Sequence, residues 1–337
     1  YFCAMARRKR RFPERIEKVT ITGLADKGFC VGKTEEGQVL FVENVAPGDV
    51  VDVRPFRKRK KVLFAAPLEF HQKSKDRVDP FCQHFAICGG CKWQNMAYEH
   101  QLFYKQKEVT NNLTRLGHIE LPEVTPILGS ENQYFYRNKM EFSFSDSRWL
   151  TLEEVQSDAD LGDRNALGFH IPGMWDKILD VKKCHLQADP SNAIRNAVKQ
   201  FAVKNELEFF NTRNQTGLLR TMMIRTSSTG NIMVLIQFFK EDKTKRELLL
   251  DFIAERVPQI TSLQYVINGK ANDTIYDQNV ICYKGADHIF EEMEGLRFKI
   301  NAKSFYQTNS AQAYELYKIT RDFAGLTGNE LVYDLYT

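Results

Sequence analysis

Residues 14–70 contain five short runs of strand character: ERIEKVTITGL (14–24), GFCVGK (28–33), QVLFVEN (38–44), DVVDVRPF (49–56) and KKVLFAAPLEF (60–70). Turn formers separate them, most plainly Ala46, Pro47 and Gly48 between the third run and the fourth. Five such runs in about sixty residues predict a small OB-like barrel, an architecture that commonly carries nucleic acid.

Charge points the same way. The chain of 337 residues has a formal net charge of +4, but residues 1–80 hold 18 Lys and Arg against 11 Asp and Glu. That first segment is therefore +7 and the remainder −3. Two clusters supply the excess: Arg7, Arg8, Lys9, Arg10 and Arg11, then Arg54, Arg57, Lys58, Arg59, Lys60 and Lys61. Dense cationic clusters attract polyphosphate through Coulomb forces and counterion release. One cluster could be a solvated tail, but two flanking a β module favour nucleic acid. The length predicts about two or three domains. No apolar run approaches the roughly 20 residues that span a bilayer, and the start is basic rather than apolar. A cytoplasmic protein with no membrane association is expected. Tyr1 to Ala4 precede Met5, and Cys3 is given no role.

FCQHFAICGGC (81–91) sets Cys82, Cys88 and Cys91 in C-x5-C-x2-C spacing, with Gly89 and Gly90 between the last two. A loop that wraps three thiolates around one centre must turn sharply, and glycine permits positive φ. An all-sulfur donor set suits an iron–sulfur cluster or a structural zinc. The usual zinc layout, two facing C-x2-C pairs, is not met, because a single such pair exists. Cysteine is also a small buried hydrophobe, and that bland alternative stands beside ligation. Cys184, in VKKCHLQ, could supply a fourth thiolate, and spacing alone leaves this open. His84 and His185 adjoin these thiols and could substitute as ligands. Cys30 and Cys282 read as core residues.

Further along, residues 98–116 predict a helix with Leu102, Val109, Leu113 and Leu116 on one stripe. Asp189 and Pro190 predict the start of a helix whose apolar face is Ile194, Val198 and Phe201. LLRTMMIRTS and NIMVLIQFF flank Ser228-Thr229-Gly230 as a hairpin, and EDKTKRELLLDFIAERV comes next as a helix. Asn309 is the expected cap of the helix SAQAYELYKITRDFAGL, stopped at Gly325 or Gly328. LVYDLYT (331–337) then reads as a buried strand, as at the opening of a doubly wound α/β domain.

Taken together, G-x-C-V-G-K and V-A-P-G-D in the barrel, CQHFAICGGCKWQ, KKCHLQ, SFYQTN and LVYDLYT resemble, in order and spacing, the TRAM-containing [4Fe–4S] RNA (uracil-5-)-methyltransferase family, of the 23S rRNA type. The resemblance runs from about residue 14 to the end. It implies a multidomain fold: a TRAM barrel over 12–72, an iron–sulfur loop over 73–97 and a helix over 98–118 packing on the catalytic domain. A mixed α/β central domain occupies 119–300, and the beginning of a Rossmann-like methyltransferase domain occupies 301–337. The resemblance implies that Cys82, Cys88, Cys91 and Cys184 ligate a [4Fe–4S] cluster, and that Gln307 and Tyr336 bind S-adenosyl-L-methionine. Arg137 and Arg220 are suited, on this likeness, to phosphate or base contacts, with a surface or ion-pair role as the alternative. The family's nucleophilic cysteine and base would lie past Thr337, so a carboxy-terminally truncated chain, inactive alone, is expected. The implied partner is RNA, foremost 23S rRNA, and the implied state a monomer. A tRNA-directed enzyme and a non-catalytic RNA-binding module with an iron–sulfur or zinc site are the alternatives. A radical S-adenosylmethionine enzyme fits less well, because its cysteines follow C-x3-C-x2-C.

Overall fold

A computed structural model describes residues 12–157 and 161–335, the side chain of Asp26 aside. The chain divides into two compact units, Tyr1–Gly129 and Ser130–Thr337. Among the described residues no helix is long and apolar enough to cross a membrane.

In the first unit the five runs form β1 (Ile16–Leu24), β2 (Cys30–Lys33), β3 (Val39–Val42), β4 (Val50–Arg59) and β5 (Val62–Gln72). They close into a barrel of order β1-β2-β3-β5-β4, with β3 and β5 parallel and the other pairs antiparallel. Closure leaves no unpaired edge for other chains to join. Alternation along the strands turns Val19, Ile21, Cys30, Leu40, Val42, Val51, Val53 and Ala65 inward, each no more than 1% exposed. Gly32 is required by packing: a Cβ there would lie 2.6 Å from Val19 Cγ1 on the neighbouring strand.

Asp49, from the V-A-P-G-D turn, ties the barrel to the segment after β5. Its buried carboxylate accepts from the amides of Ala46 (2.7 Å) and Ser74 (2.8 Å) and from Arg77 Nη1 (2.7 Å). The cysteine loop comes next, then α1 (Tyr98–Asn111), continued by one wider-wound turn over Asn112–Leu116. The predicted stripe differs from expectation. Leu102 is half-buried, but Val109, Leu113 and Leu116 are exposed and α1 has no buried residue. Lys, Gln and Glu dominate the helix surface, so its stability comes from local propensity more than from a packed face.

The second unit is built on a seven-stranded sheet of order β12-β11-β10-β9-β6-β7-β8. Its strands are β6 (Lys139–Ser145), β7 (Ala166–Ile171), β8 (Met174–Asp180), β9 (Leu219–Thr226), β10 (Ile232–Phe238), β11 (Ser262–Ile267) and β12 (Ile281–Gly285). The helices are α2 (Leu152–Gln156), α3 (Ser191–Lys204), α4 (Lys243–Arg256) and α5 (Ser310–Ala324). A separate hairpin joins β13 (His288–Met293) and β14 (Leu296–Asn301). The apolar run NIMVLIQFF is a strand buried at every position of β10. Its two faces lie in different clusters. Val234 and Ile236 pack with Ile194, Val198, Leu249 and Ile253 of α3 and α4, whereas Met233 and Leu235 pack with Ile289 and Ile300 of the hairpin. Cover on both faces explains a continuous apolar run where a half-exposed strand would alternate. Phe201 and Phe252 stack at 3.9 Å where α3 meets α4.

Several helix ends obey the sequence signals. Asn309 caps α5 by accepting from the Gln312 amide at 3.1 Å, and Gly325 ends it at φ +56°. Helix α3 begins one residue later than predicted: Pro190 is the cap position, while Asp189 Oδ1 accepts from the Asn192 amide at 3.1 Å. LVYDLYT departs from its expectation. Residues 331–335 are not in a strand, and Leu331, Val332, Tyr333 and Leu335 are 63–77% exposed. No described strand runs beside them, and an extended segment without a partner gains neither ladder bonds nor burial. The strand expected for LVYDLYT is thus not formed over 331–335.

Candidate functional site

The β4–β5 hairpin carries the second basic cluster along β4 and at its turn. Arg54, Arg57, Lys58, Arg59, Lys60 and Lys61 are all exposed. Lys60 makes the turn at φ +53°. The Arg57 guanidinium lies 3.9 Å above the Phe64 ring, and Phe64 packs edge-on against Phe29 (5.2 Å) and Phe41 (5.5 Å). Phe56, on the same strand as Arg57, is 46% exposed. Cations free of carboxylate partners bind phosphates, and exposed ring faces accept stacked bases. Arg7 to Arg11, the other basic cluster, lie outside the described residues.

The base of the same barrel holds a second ionic centre. Asp52, 1% exposed, accepts from the Lys18 amide (2.7 Å), from His71 Nε2 (2.7 Å) and from Arg15. Burial alone would push this carboxyl up, but the Lys18 amide, His71 and Arg15 outweigh it and hold it at about 2.

In the cysteine loop the Phe85 amide donates to Cys82 O (3.0 Å), the Cys88 amide to His84 O (2.8 Å) and the Gly90 amide to Cys88 Sγ (3.4 Å). The positive φ falls on Ala86 (+69°) and not on Gly89 or Gly90, so the turn lies within the longer spacer. Trp93 Nε1 donates to Gly28 O at 3.3 Å and anchors the end of the loop to the barrel. All three thiols are half-buried. Among the described residues no group of three His, Cys, Asp or Glu side chains converges to hold a metal ion. The donor chemistry nevertheless suits a thiolate-bound centre: three sulfurs within ten residues, one already receiving a backbone N–H.

Cys184 sits in the second unit, just ahead of α3. Its amide donates to Asn192 Oδ1 (2.7 Å), and Asn192 Nδ2 donates back to Cys184 O (3.0 Å). Arg195 Nη1 donates to the same Asn192 oxygen at 3.0 Å. Burial, then Lys183, lowers the pKa of neighbouring His185.

Gln307 is exposed within SFYQTN (304–309), on a segment held by several hydrogen bonds. Asn138 Nδ2 donates to Gln307 O and to Ser310 Oγ, both at 2.8 Å, and the Asn138 amide donates to Thr308 O at 2.8 Å. Arg225, 2% exposed, donates to Asn301 O (3.2 Å) and Ser304 O (3.1 Å). The buried carboxylate of Glu291 accepts from Ser310 Oγ (3.2 Å) and from the Ser228 amide (2.9 Å). Asn138, Arg225 and Glu291 escaped the sequence reading because a polar type gains meaning here only once strands β6, β9 and β13 are placed. Tyr336 lies outside the described residues.

Other expectations are corrected. Arg220 is 4% exposed, donates to Asn268 O (2.8 Å) and Lys270 O (2.7 Å), and lies over the rings of Phe210 and Phe239. It braces a loop and is shielded from any phosphate. Arg137 is half-buried, with its backbone amide bonded to Leu186 O at 2.8 Å. Cys30 is a core residue as expected, its thiol pushed to about 12 by burial. Cys282 is not, because it lies exposed on edge strand β12.

Residues 10–68 match the TRAM domain family. Along nearly the whole chain there is similarity to bacterial proteins described as uncharacterized RNA methyltransferases. One from Bacteroides thetaiotaomicron is 56% identical over 317 residues, which are 93% of this chain and 70% of that protein. One from Porphyromonas gingivalis is 53% identical, over 94% of this chain and 69% of its own length. One from Chlorobaculum tepidum is 37% identical, over 95% and 67%. These matches do not bear out the expected truncation. Among solved structures, the Pyrococcus abyssi tRNA (uracil-54, C5)-methyltransferase in complex with S-adenosyl-L-homocysteine superposes with a TM-score of 0.65 at 23% identity. That alignment covers 90% of this chain and 65% of the other, and it establishes likeness of fold.

Proposed function

Since the chain belongs to the RNA methyltransferase family of these bacterial relatives, we propose that it serves S-adenosylmethionine-dependent methylation of uridine C5 in RNA, with 23S rRNA as the substrate. The observation that carries this reading is the exposed cationic and aromatic hairpin on a TRAM barrel, joined in one chain to a fold shared with a uracil-C5 methyltransferase. The hairpin grips phosphates and stacks bases of a strand whose target uridine is turned out of its helix.

Uracil C5 is a poor nucleophile, and thiolate addition at C6 converts it into an enolate-like carbon that can take a methyl group. S-Adenosylmethionine, held in part by Gln307 and Tyr336, would supply that methyl as an electrophile. A base then removes the C5 proton, and elimination returns the thiolate. Neither Cys30 nor Cys282 suits the attack. Burial raises both thiols, and Cys30 is 1% exposed. Neither thiol is therefore proposed as the nucleophile.

Cys82, Cys88, Cys91 and Cys184 are the proposed ligands of a [4Fe–4S] cluster with a structural role, since methyl transfer needs no electron. The protein is proposed to be cytoplasmic and monomeric. Mapping 5-methyluridine in ribosomal and transfer RNA from a deletion strain, with and without the complemented full-length gene, tests the assignment. Loss confined to tRNA moves the substrate to the runner-up, a tRNA enzyme, which the Pyrococcus likeness favours. No change in either RNA overturns uridine methylation.

A further inference from the structure

Arg195 is among the largest fully buried side chains, 1% exposed, and among the described residues it makes no ion pair with a carboxylate. The nearby carboxylate, Asp180, is engaged by Lys199 at 2.7 Å and Lys182 at 3.3 Å. Arg195 itself donates to neutral acceptors: Asn192 Oδ1 (3.0 Å), Asn196 Oδ1 (3.1 Å) and Lys182 O (2.8 Å). Its Nε is buried with no acceptor, and its guanidinium stands 5.1 Å from the centre of the Phe142 ring. Arginine does not shed its proton to escape such a site. A buried cation bonded to dipoles alone is costly unless an anion lies close by. Burial lowers the pKa of the Arg195 guanidinium, and Cys184, then Asp180 and Asp189, act in the opposite direction.

The hydrogen bonds connect the same two residues. Asn192 Oδ1 receives both Arg195 and the Cys184 amide, while Asn192 Nδ2 holds Cys184 O. One side-chain amide thus fixes both backbone polar groups of Cys184, and the cation fixes the amide. Arg220 and Arg225 are buried too, but they donate to the backbone carbonyls of the loops they brace and reach no thiol in this way.

We propose that Arg195 is the counter-charge of a metal-bound Cys184 thiolate and that Asn192 brackets its backbone, making both positioning residues for an iron–sulfur cluster. This rests on the cluster reading under Proposed function. A fixed positive charge beside a cluster favours its more reduced, more negative state, so removing the charge lowers the reduction potential.

The test uses the full-length protein, purified anaerobically as wild type, Arg195→Lys, Arg195→Gln, Asn192→Ala and Cys184→Ser. Iron and sulfide content, circular dichroism and the cluster's reduction potential are the readouts. Arg195→Lys is expected to keep the wild-type potential, and Arg195→Gln to shift it downward at unchanged iron content. Asn192→Ala is expected to hold iron roughly 10- to 100-fold less tightly against a chelator. Cluster loss in a folded Arg195→Gln with retention in Arg195→Lys also supports the counter-charge. An unmoved potential in Arg195→Gln, an equal shift in Arg195→Lys, or loss from both folded variants overturns it. Full iron and sulfide in Cys184→Ser, or zinc in the wild type, instead overturns the cluster reading, independently of Arg195.

Discussion

Asn138 Nδ2 donates to the backbone oxygen of Gln307 at 2.8 Å, across 169 positions of sequence. The residue just ahead of strand β6 thereby holds the segment that displays Gln307. Replacing Asn138 with Ala removes this bond and the one to Ser310 Oγ. At about 1 kcal/mol per net hydrogen bond, the second unit is destabilised by about 2 kcal/mol. Calorimetry with S-adenosylhomocysteine on the full-length protein should show weaker binding than in a surface variant of equal stability. Unchanged affinity would separate Asn138 from any cofactor role.

The barrel hairpin makes a prediction that salt dependence can read. Arg57→Gln, Lys58→Gln and Arg59→Gln together should lower RNA affinity and flatten the slope of log affinity against log salt. The slope should change by about 0.7 for each phosphate of single-stranded RNA that the variant no longer neutralises. Phe56→Ala should weaken binding by about 1–3 kcal/mol, as removal of one stacking platform does, while leaving the slope alone. If the charge variants keep the wild-type slope, the hairpin is not the RNA grip.

How much of the fold is legible in the chain depends on the range of the interaction. The barrel strands, the β9–β10 hairpin and the Asn309 cap are set by residues within a few positions of one another, and the sequence reading finds them. LVYDLYT is apolar enough for a strand, but strand formation depends on a neighbour that composition does not reveal. The clamp on Gln307 joins β6, β9 and β13, so Asn138, Arg225 and Glu291 look like ordinary polar residues until those strands are paired. In the cysteine loop the spacing is legible, but the turn expected at the glycines falls on Ala86.

Asp52 gives the first unit a defined acid response. Its carboxyl is held at about 2 in the folded protein, against about 3.9 for an unfolded aspartate. A depressed folded value means that its contribution is full above pH ~4 and disappears as pH falls from about 4 to 2. Urea midpoints measured across that window should fall more steeply for wild type than for Asp52→Asn, which has no such carboxylate to protonate. Parallel curves would show that Asp52 carries no linked stability.

Arg220 separates a structural arginine from an RNA-binding one. Its guanidinium satisfies the carbonyls of Asn268 and Lys270 and lies over the rings of Phe210 and Phe239. Burial lowers its pKa, though not far enough for a guanidinium to lose its charge near neutrality. Arg220→Ala strands two carbonyls and opens a cavity against two aromatic rings. Either effect alone is destabilising, and together they should cost about 3 kcal/mol. RNA affinity per folded molecule should stay at the wild-type value, because no phosphate can approach a side chain this enclosed. Denaturant titration and filter binding on the same preparation measure both quantities. A stable Arg220→Ala protein with weakened RNA binding would return this residue to the RNA interface.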